Sequence, residues 1–151
     1  MTYGIYFDSG APAEALRQAL HTVYNVPPEL VYAGSHDGLN DYSGPNPLAL
    51  ITPAGGQFGH EFSAGDKLQE LTKATELELA QALCRVARTR ALLDDGSPAP
   101  DYWYLVTADG SYGRVQTDPD NDDLTILYAL EPISGAPDLP IVPPPDWART
   151  W

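Results

Sequence analysis

Tyr102-Trp103-Tyr104-Leu105-Val106-Thr107-Ala108-Asp109-Gly110-Ser111-Tyr112-Gly113-Arg114-Val115-Gln116-Thr117 reads as a β-hairpin before any other segment is interpreted. Two runs rich in aromatic and β-branched residues flank Asp109-Gly110, a dipeptide suited to tight hairpin turns because both residues tolerate positive φ. A two-residue turn there predicts that Leu105 opposes Arg114 and Trp103 opposes Gln116 on one, amphipathic face. Tyr104 then opposes Val115 on the other, core-like face. A third run over 124–130, after a polar tip at 118–123, extends the hairpin into a three-stranded antiparallel meander.

Upstream, residues 72–93 contain no Gly or Pro. Leu79, Ala80, Leu83, Val86, Ala87 and Ala91 recur at helical spacing, which predicts one long helix. Glu76 and Glu78 near its start and Arg85, Arg88 and Arg90 near its end complement the helix dipole. Residues 3–7 predict a buried strand. Pro12 then suits the first turn of a helix carrying Leu16, Ala19, Leu20, Val23 and Tyr24, which Asn25, Pro27 and Pro28 end. Short strands are expected over 29–33 and 48–52, with a Gly- and Pro-rich loop at 34–47 between them. Gly55, Gly56 and Gly59 turn the chain into a hairpin partner over 57–62.

The fold expected is α+β: a mainly antiparallel sheet with two helices on one face, a C-terminal three-stranded meander and a Pro-rich tail. Residues 1–131 form a single domain. Six prolines between Pro132 and Pro145 make 132–151 an extended tail packed on that domain, with Trp147 and Trp151 pinning it. A chain of 151 residues buries a core without disulfide or metal staples. The single cysteine, Cys84, has no internal partner and is expected to be buried in the long helix.

Charge narrows the function. The chain has 21 Asp and Glu against 8 Lys and Arg, a net −13, and residues 94–151 alone account for −9 with eleven acids and two bases. Such a surface repels nucleic acid and anionic lipid and attracts a basic partner over about 8 Å at physiological salt. No apolar stretch is long enough to span a bilayer and the first residues lack a signal pattern, so a cytoplasmic location is expected, without membrane or nucleic-acid partners.

Asp109, Asp118, Asp120, Asp122 and Asp123 fall at turn tips around the meander. With Trp103, Tyr112 and Tyr42 as aromatic anchors, they are the expected partner-binding residues. Residues 118–123 superficially resemble a calcium loop but carry Asp123 where a Gly and Ala129 where a Glu are required, so no metal is expected. No cofactor motif is present: Gly55-Gly56-Gln57-Phe58-Gly59 opens no helix and no Ser sits in a nucleophile elbow. Loop residues His36, Asp37, His60 and Glu61 form an alternative catalytic set if the fold brings them together. The leading expectation is an acidic protein-binding inhibitor, most concretely the immunity protein of a bacterial toxin–immunity pair neutralising a basic toxin. A small hydrolase or transferase using the His/Asp/Glu set is the alternative.

Overall fold

In the computed structural model, residues 2–97 and 101–149 are described, so Trp151 lies outside the described residues. Eight strands form one sheet: β1 (Tyr3–Phe7), β2 (Val31–Ala33), β3 (Ala49–Pro53), β4 (His60–Ala64), β5 (Ala91–Asp94), β6 (Tyr102–Val106), β7 (Tyr112–Thr117) and β8 (Ile126–Ala129). Their spatial order is β2-β3-β4-β1-β5-β6-β7-β8, with only β2 and β3 parallel. The helices are α1 (Ala13–Tyr24), α2 (His36–Asn40), α3 (Asp66–Thr72), α4 (Glu76–Ala87) and α5 (Asp146–Arg149), with a single 3₁₀ turn at Pro28–Leu30. The architecture is α+β and mostly antiparallel, as expected from the sequence.

The hairpin forms where the sequence places it, but its register is one residue off the two-residue-turn expectation. Trp103 pairs with Val115, Tyr104 with Arg114 and Leu105 with Gly113. The cause is the turn. Gly110 N donates to Thr107 O at 2.9 Å and Thr107 N donates to Ser111 O at 2.9 Å, closing a three-residue loop with Gly110 at φ 84°. That is a type I turn followed by a left-handed residue. The positive φ favours Gly there, and the flexible Arg85 guanidinium packs against the space a Cβ would take.

The predicted long helix is instead a shorter helix, α4, followed by a strand. Thr75 starts α4 with a capping box: its Oγ1 accepts from Glu78 N at 3.1 Å, and Glu78 Oε1 accepts from Thr75 N at 3.0 Å. Arg88 ends α4 in the left-handed region, φ 54°, and 91–94 turns into β5 between β1 and β6. The expected loop at 34–47 contains α2, capped by Ser35 Oγ accepting from Gly38 N at 2.9 Å. The strand expected at 57–62 begins later, at His60, because Ala54 N donates to Gly59 O and holds 54–59 as a loop.

Strand alternation sorts the apolar residues into two cores. Tyr3, Ile5 and Phe7 of β1, Phe62 of β4, Leu93 of β5 and Val106 of β6 join Leu16 and Leu20 of α1, Leu68 of α3, and Leu79, Leu83 and Cys84 of α4 in the first. Cys84 is buried, and burial pushes its thiol up to about 12, so it is an inert core residue. The second core contains Leu92, Leu105, Val115 and Ala129 from the strands, covered by Phe58 and Ile133 and flanked by Trp103, Leu124 and Leu139. Leu105 and Val115, expected on opposite faces, therefore share this core.

The second core gives the Pro-rich tail its place. Ile133 is buried, Ala136 and Leu139 pack beside it, and Gly135 N donates to Ser111 Oγ at 2.8 Å. Ile141 makes a parallel bridge with Ala129, so the tail also extends the edge of β8. Ile133 and Leu139 carry this apolar packing, and Trp147 is 55 % exposed. Gly113 marks the fit: a Cβ there would lie 2.6 Å from Ile133 Cγ1. Ile133→Ala should lower stability by about 3 kcal/mol, through lost transfer energy and a cavity the rigid sheet cannot close. Urea denaturation measures this; an effect under about 1 kcal/mol would show that the tail is not core.

Candidate functional site

Only part of the expected constellation is assembled, and β7 explains why. Asp109 sits in the turn before this six-residue strand and Asp118 follows its other end, about 20 Å away along the strand. Asp109 is also committed to its own hairpin. Its Oδ1 accepts from Thr107 Oγ1 at 2.5 Å, from Ser111 Oγ at 2.7 Å and from Ser111 N at 2.9 Å. Tyr112, 47 % exposed, stacks edge-on to Tyr104 at 5.8 Å at the same remote end. Tyr42 stacks on Tyr32 of β2 at 5.2 Å, and β2 is the opposite edge of the sheet from β8. Asp109, Tyr112 and Tyr42 thus lie apart from the Asp118–Asp123 tip.

The tip is organised by its own short-range bonds. Asp118 Oδ1 accepts from Asp120 N at 2.9 Å, and Asn121 Oδ1 accepts from Asp123 N at 3.0 Å. Among the described residues no group of three or more His, Cys, Asp or Glu is placed to hold a metal ion. The loop instead reaches across the second core to the β3–β4 loop. A Cβ on Gly55 would strike the Asp123 carboxylate, and one on Gly56, at φ 78°, would lie 2.7 Å from Asp123 Cβ. The two glycines make this loop-to-loop approach possible.

Between the loops lies a cavity of about 280 Å³. Three strands supply its floor: Tyr6 of β1, Glu61 of the adjacent β4, which pairs with it in register, and Trp103 of β6, one strand beyond β5. Phe58 and Gly55 form one wall, and Asp122, Asp123 and Leu124 the other. Tyr6 and Trp103 meet edge to face at 5.9 Å. Burial, the Glu61 charge and a hydrogen bond to Glu61 raise the Tyr6 phenol above its ordinary value. The lining thus carries three carboxylates and three aromatic rings, with no Lys or Arg. The carboxylates ring the space without focusing on a point, an arrangement that suits a spread, planar cation better than a bare ion.

The sequence singled out Trp103, Asp122 and Asp123 here, and Glu61 in another role; it missed Tyr6 and Phe58. Tyr6 was legible as the odd-face residue of β1, whereas Phe58 was assigned to a strand that does not include it. The alternative catalytic set is not assembled. His60 and Glu61 are consecutive on β4 and point to opposite faces. The His60 ring is bonded to Ala11 O at 2.7 Å, and His36 and Asp37 lie on α2 at the β2 edge of the sheet. Among the described residues no hydrogen bond or ion pair joins either to His60 or Glu61.

Comparison with protein-family models, curated proteins and solved structures found no match for the chain.

The Asp109 turn yields a pH test. Hydrogen bonds from the Thr107 and Ser111 hydroxyls, then from the Ser111 amide, lower its carboxyl to about 2 from an ordinary 3.8. Its contribution to stability is therefore complete above the ordinary value and lost as pH falls through about 2. Asp109→Asn should lower stability at neutral pH and flatten the acid limb of the stability profile in this window. Urea midpoints read against pH check it: an unchanged acid limb would show that the turn does not hold the charged form.

Proposed function

We propose that the chain is an acidic protein-binding inhibitor that neutralises a basic partner, most concretely a cytoplasmic immunity protein paired with a basic bacterial toxin. The observation that carries this reading is the carboxylate-and-aromatic cavity bounded by Glu61, Asp122 and Asp123 over Tyr6, Phe58 and Trp103. It combines the two elements of a strong protein contact, a partly desolvated aromatic anchor and a charge pattern complementary to the partner.

In this reading an arginine of the partner enters the cavity. Its guanidinium lies against the Trp103 and Tyr6 rings and donates hydrogen bonds to Glu61 and one tip carboxylate. Asp120, exposed on the same loop, and the half-buried Asp118 supply the outer field that speeds encounter. Asp109, Tyr112 and Tyr42 lie too far off to share this contact. No hydrogen bond or ion pair among the described residues joins His36 and Asp37 to His60 and Glu61, so nothing in the geometry favours the hydrolase or transferase alternative.

The test is kinetic, on a partner captured from the native cell and purified. Association should slow by about tenfold or more as salt rises from low to above physiological concentration, as for other steered encounters. Asp120→Lys and Asp122→Lys should slow it further at low salt while leaving the fold intact. Trp103→Ala should act mainly on dissociation, raising its rate by about thirtyfold, the equivalent of a 2 kcal/mol anchor. Association independent of salt, or indifference to both Asp120→Lys and Asp122→Lys, would refute the proposal.

A further inference from the structure

A second cavity, of about 580 Å³, is larger than the acidic one, lies elsewhere and has a different chemistry. It opens at the other end of the sheet, between the chain leading into β5, the turn end of the β6–β7 hairpin and the tail segment 135–139. Its volume falls within the range of small-molecule sites. One side is apolar, built from Leu105, Ala136 and Leu139; the other carries Arg88 and Arg90.

The two arginines are not equivalent. Arg90 is fixed and neutralised: its Nε donates to Asp8 Oδ2 at 2.8 Å, and its guanidinium carbon lies 5.0 Å from the centre of the Phe58 ring. Asp8 is in turn occupied, accepting from Gly10 N at 2.7 Å and Gln57 Nε2 at 3.2 Å as well. Arg88 is exposed at the cavity rim, and no hydrogen bond or ion pair holds its side chain among the described residues. A protein of net charge −13 has thus placed two of its eight basic side chains in this one cavity, one of them with no ionic partner among the described residues. The acid facing them, Asp138, is exposed on the tail and bathed by solvent, which screens it.

We propose that this cavity binds a small organic carboxylate, with the acid group on Arg88 and an apolar body against Leu105, Ala136 and Leu139. A monoanion fits because one cation is uncompensated. An apolar body fits because the wall opposite that cation is aliphatic and lies beside the second core. Buried Thr107 and Thr89 form the base between the two halves. The site is independent of the acidic cavity, and it depends on the tail for one wall.

The experiment is a titration of the full chain, followed by amide NMR, with 4-phenylbutyrate and its isosteres 4-phenylbutylamine and 4-phenylbutanol. Saturable shifts are expected at Arg88, Thr107, Gly135 and Ala136 with the acid, and at least about tenfold weaker binding of the amine and alcohol, the scale of one charge-assisted hydrogen bond. Arg88→Gln, at an exposed position, should weaken the acid by about the same factor and leave the alcohol unchanged. Ala108→Trp, at the exposed turn position on the rim, should block all three. Amine binding as tight as acid binding, an Arg88→Gln variant that binds the acid like the native chain, or no saturable shift at these amides would overturn the proposal.

Discussion

An eight-stranded sheet whose central strands are apolar on both sides needs two covers. Leu92 and Leu105 alternate with first-core Leu93 and Val106, and together with Val115 and Ala129 they cannot be left in water. Helical residues of α1, α3 and α4 pack into the first core, and regular structure then runs out. The second is closed by irregular chain: Phe58 from the β3–β4 loop, Leu124 from the β7–β8 loop, and Ile133, Ala136 and Leu139 from the Pro-rich tail. Proline suits this task, since a segment fixed near its extended conformation loses less entropy on docking than a flexible one.

Irregular cover leaves gaps, and the gaps are where the chemistry collects. The β3–β4 and β7–β8 loops meet through Gly55, Gly56 and Asp123 and enclose the acidic cavity over Tyr6, Glu61 and Trp103. The tail, crossing the turn end of the hairpin, encloses the larger cavity with Arg88 and Arg90 at its rim. The two spaces lie on either side of Phe58, whose ring helps line the first and carries Arg90 on its face. One packing solution thus separates an anionic site from a cationic one, a separation that net charge alone does not reveal.

The sequence made the meander, β1, α1 and the α+β class legible because each rests on local signals: alternation, a turn dipeptide, helical periodicity and prolines. It failed where a local signal had a rival. Lys73 and Arg88 ended helices in left-handed positions usually marked by Gly, and Thr75 began α4 between them, so β5 was hidden in an apparent helix. The hairpin register slipped by one because Asp109 can bond its own turn, favouring a three-residue loop over a two-residue one. For the site, the acid-rich tip and Trp103 were visible. Their meeting with Tyr6, Glu61 and Phe58 was not, because it depends on two loops approaching over strands distant in sequence.

The dependence of both cavities on that second cover can be read directly from a NOESY spectrum of the full chain with labelled methyl and aromatic groups. The account predicts strong contacts between the Ile133 methyls and Gly113 Hα and between the Tyr6 and Trp103 rings, with ring-current shifts of the Arg90 side chain over Phe58. Ile133 methyls at unstructured shifts, with no contact to β7, would contradict it.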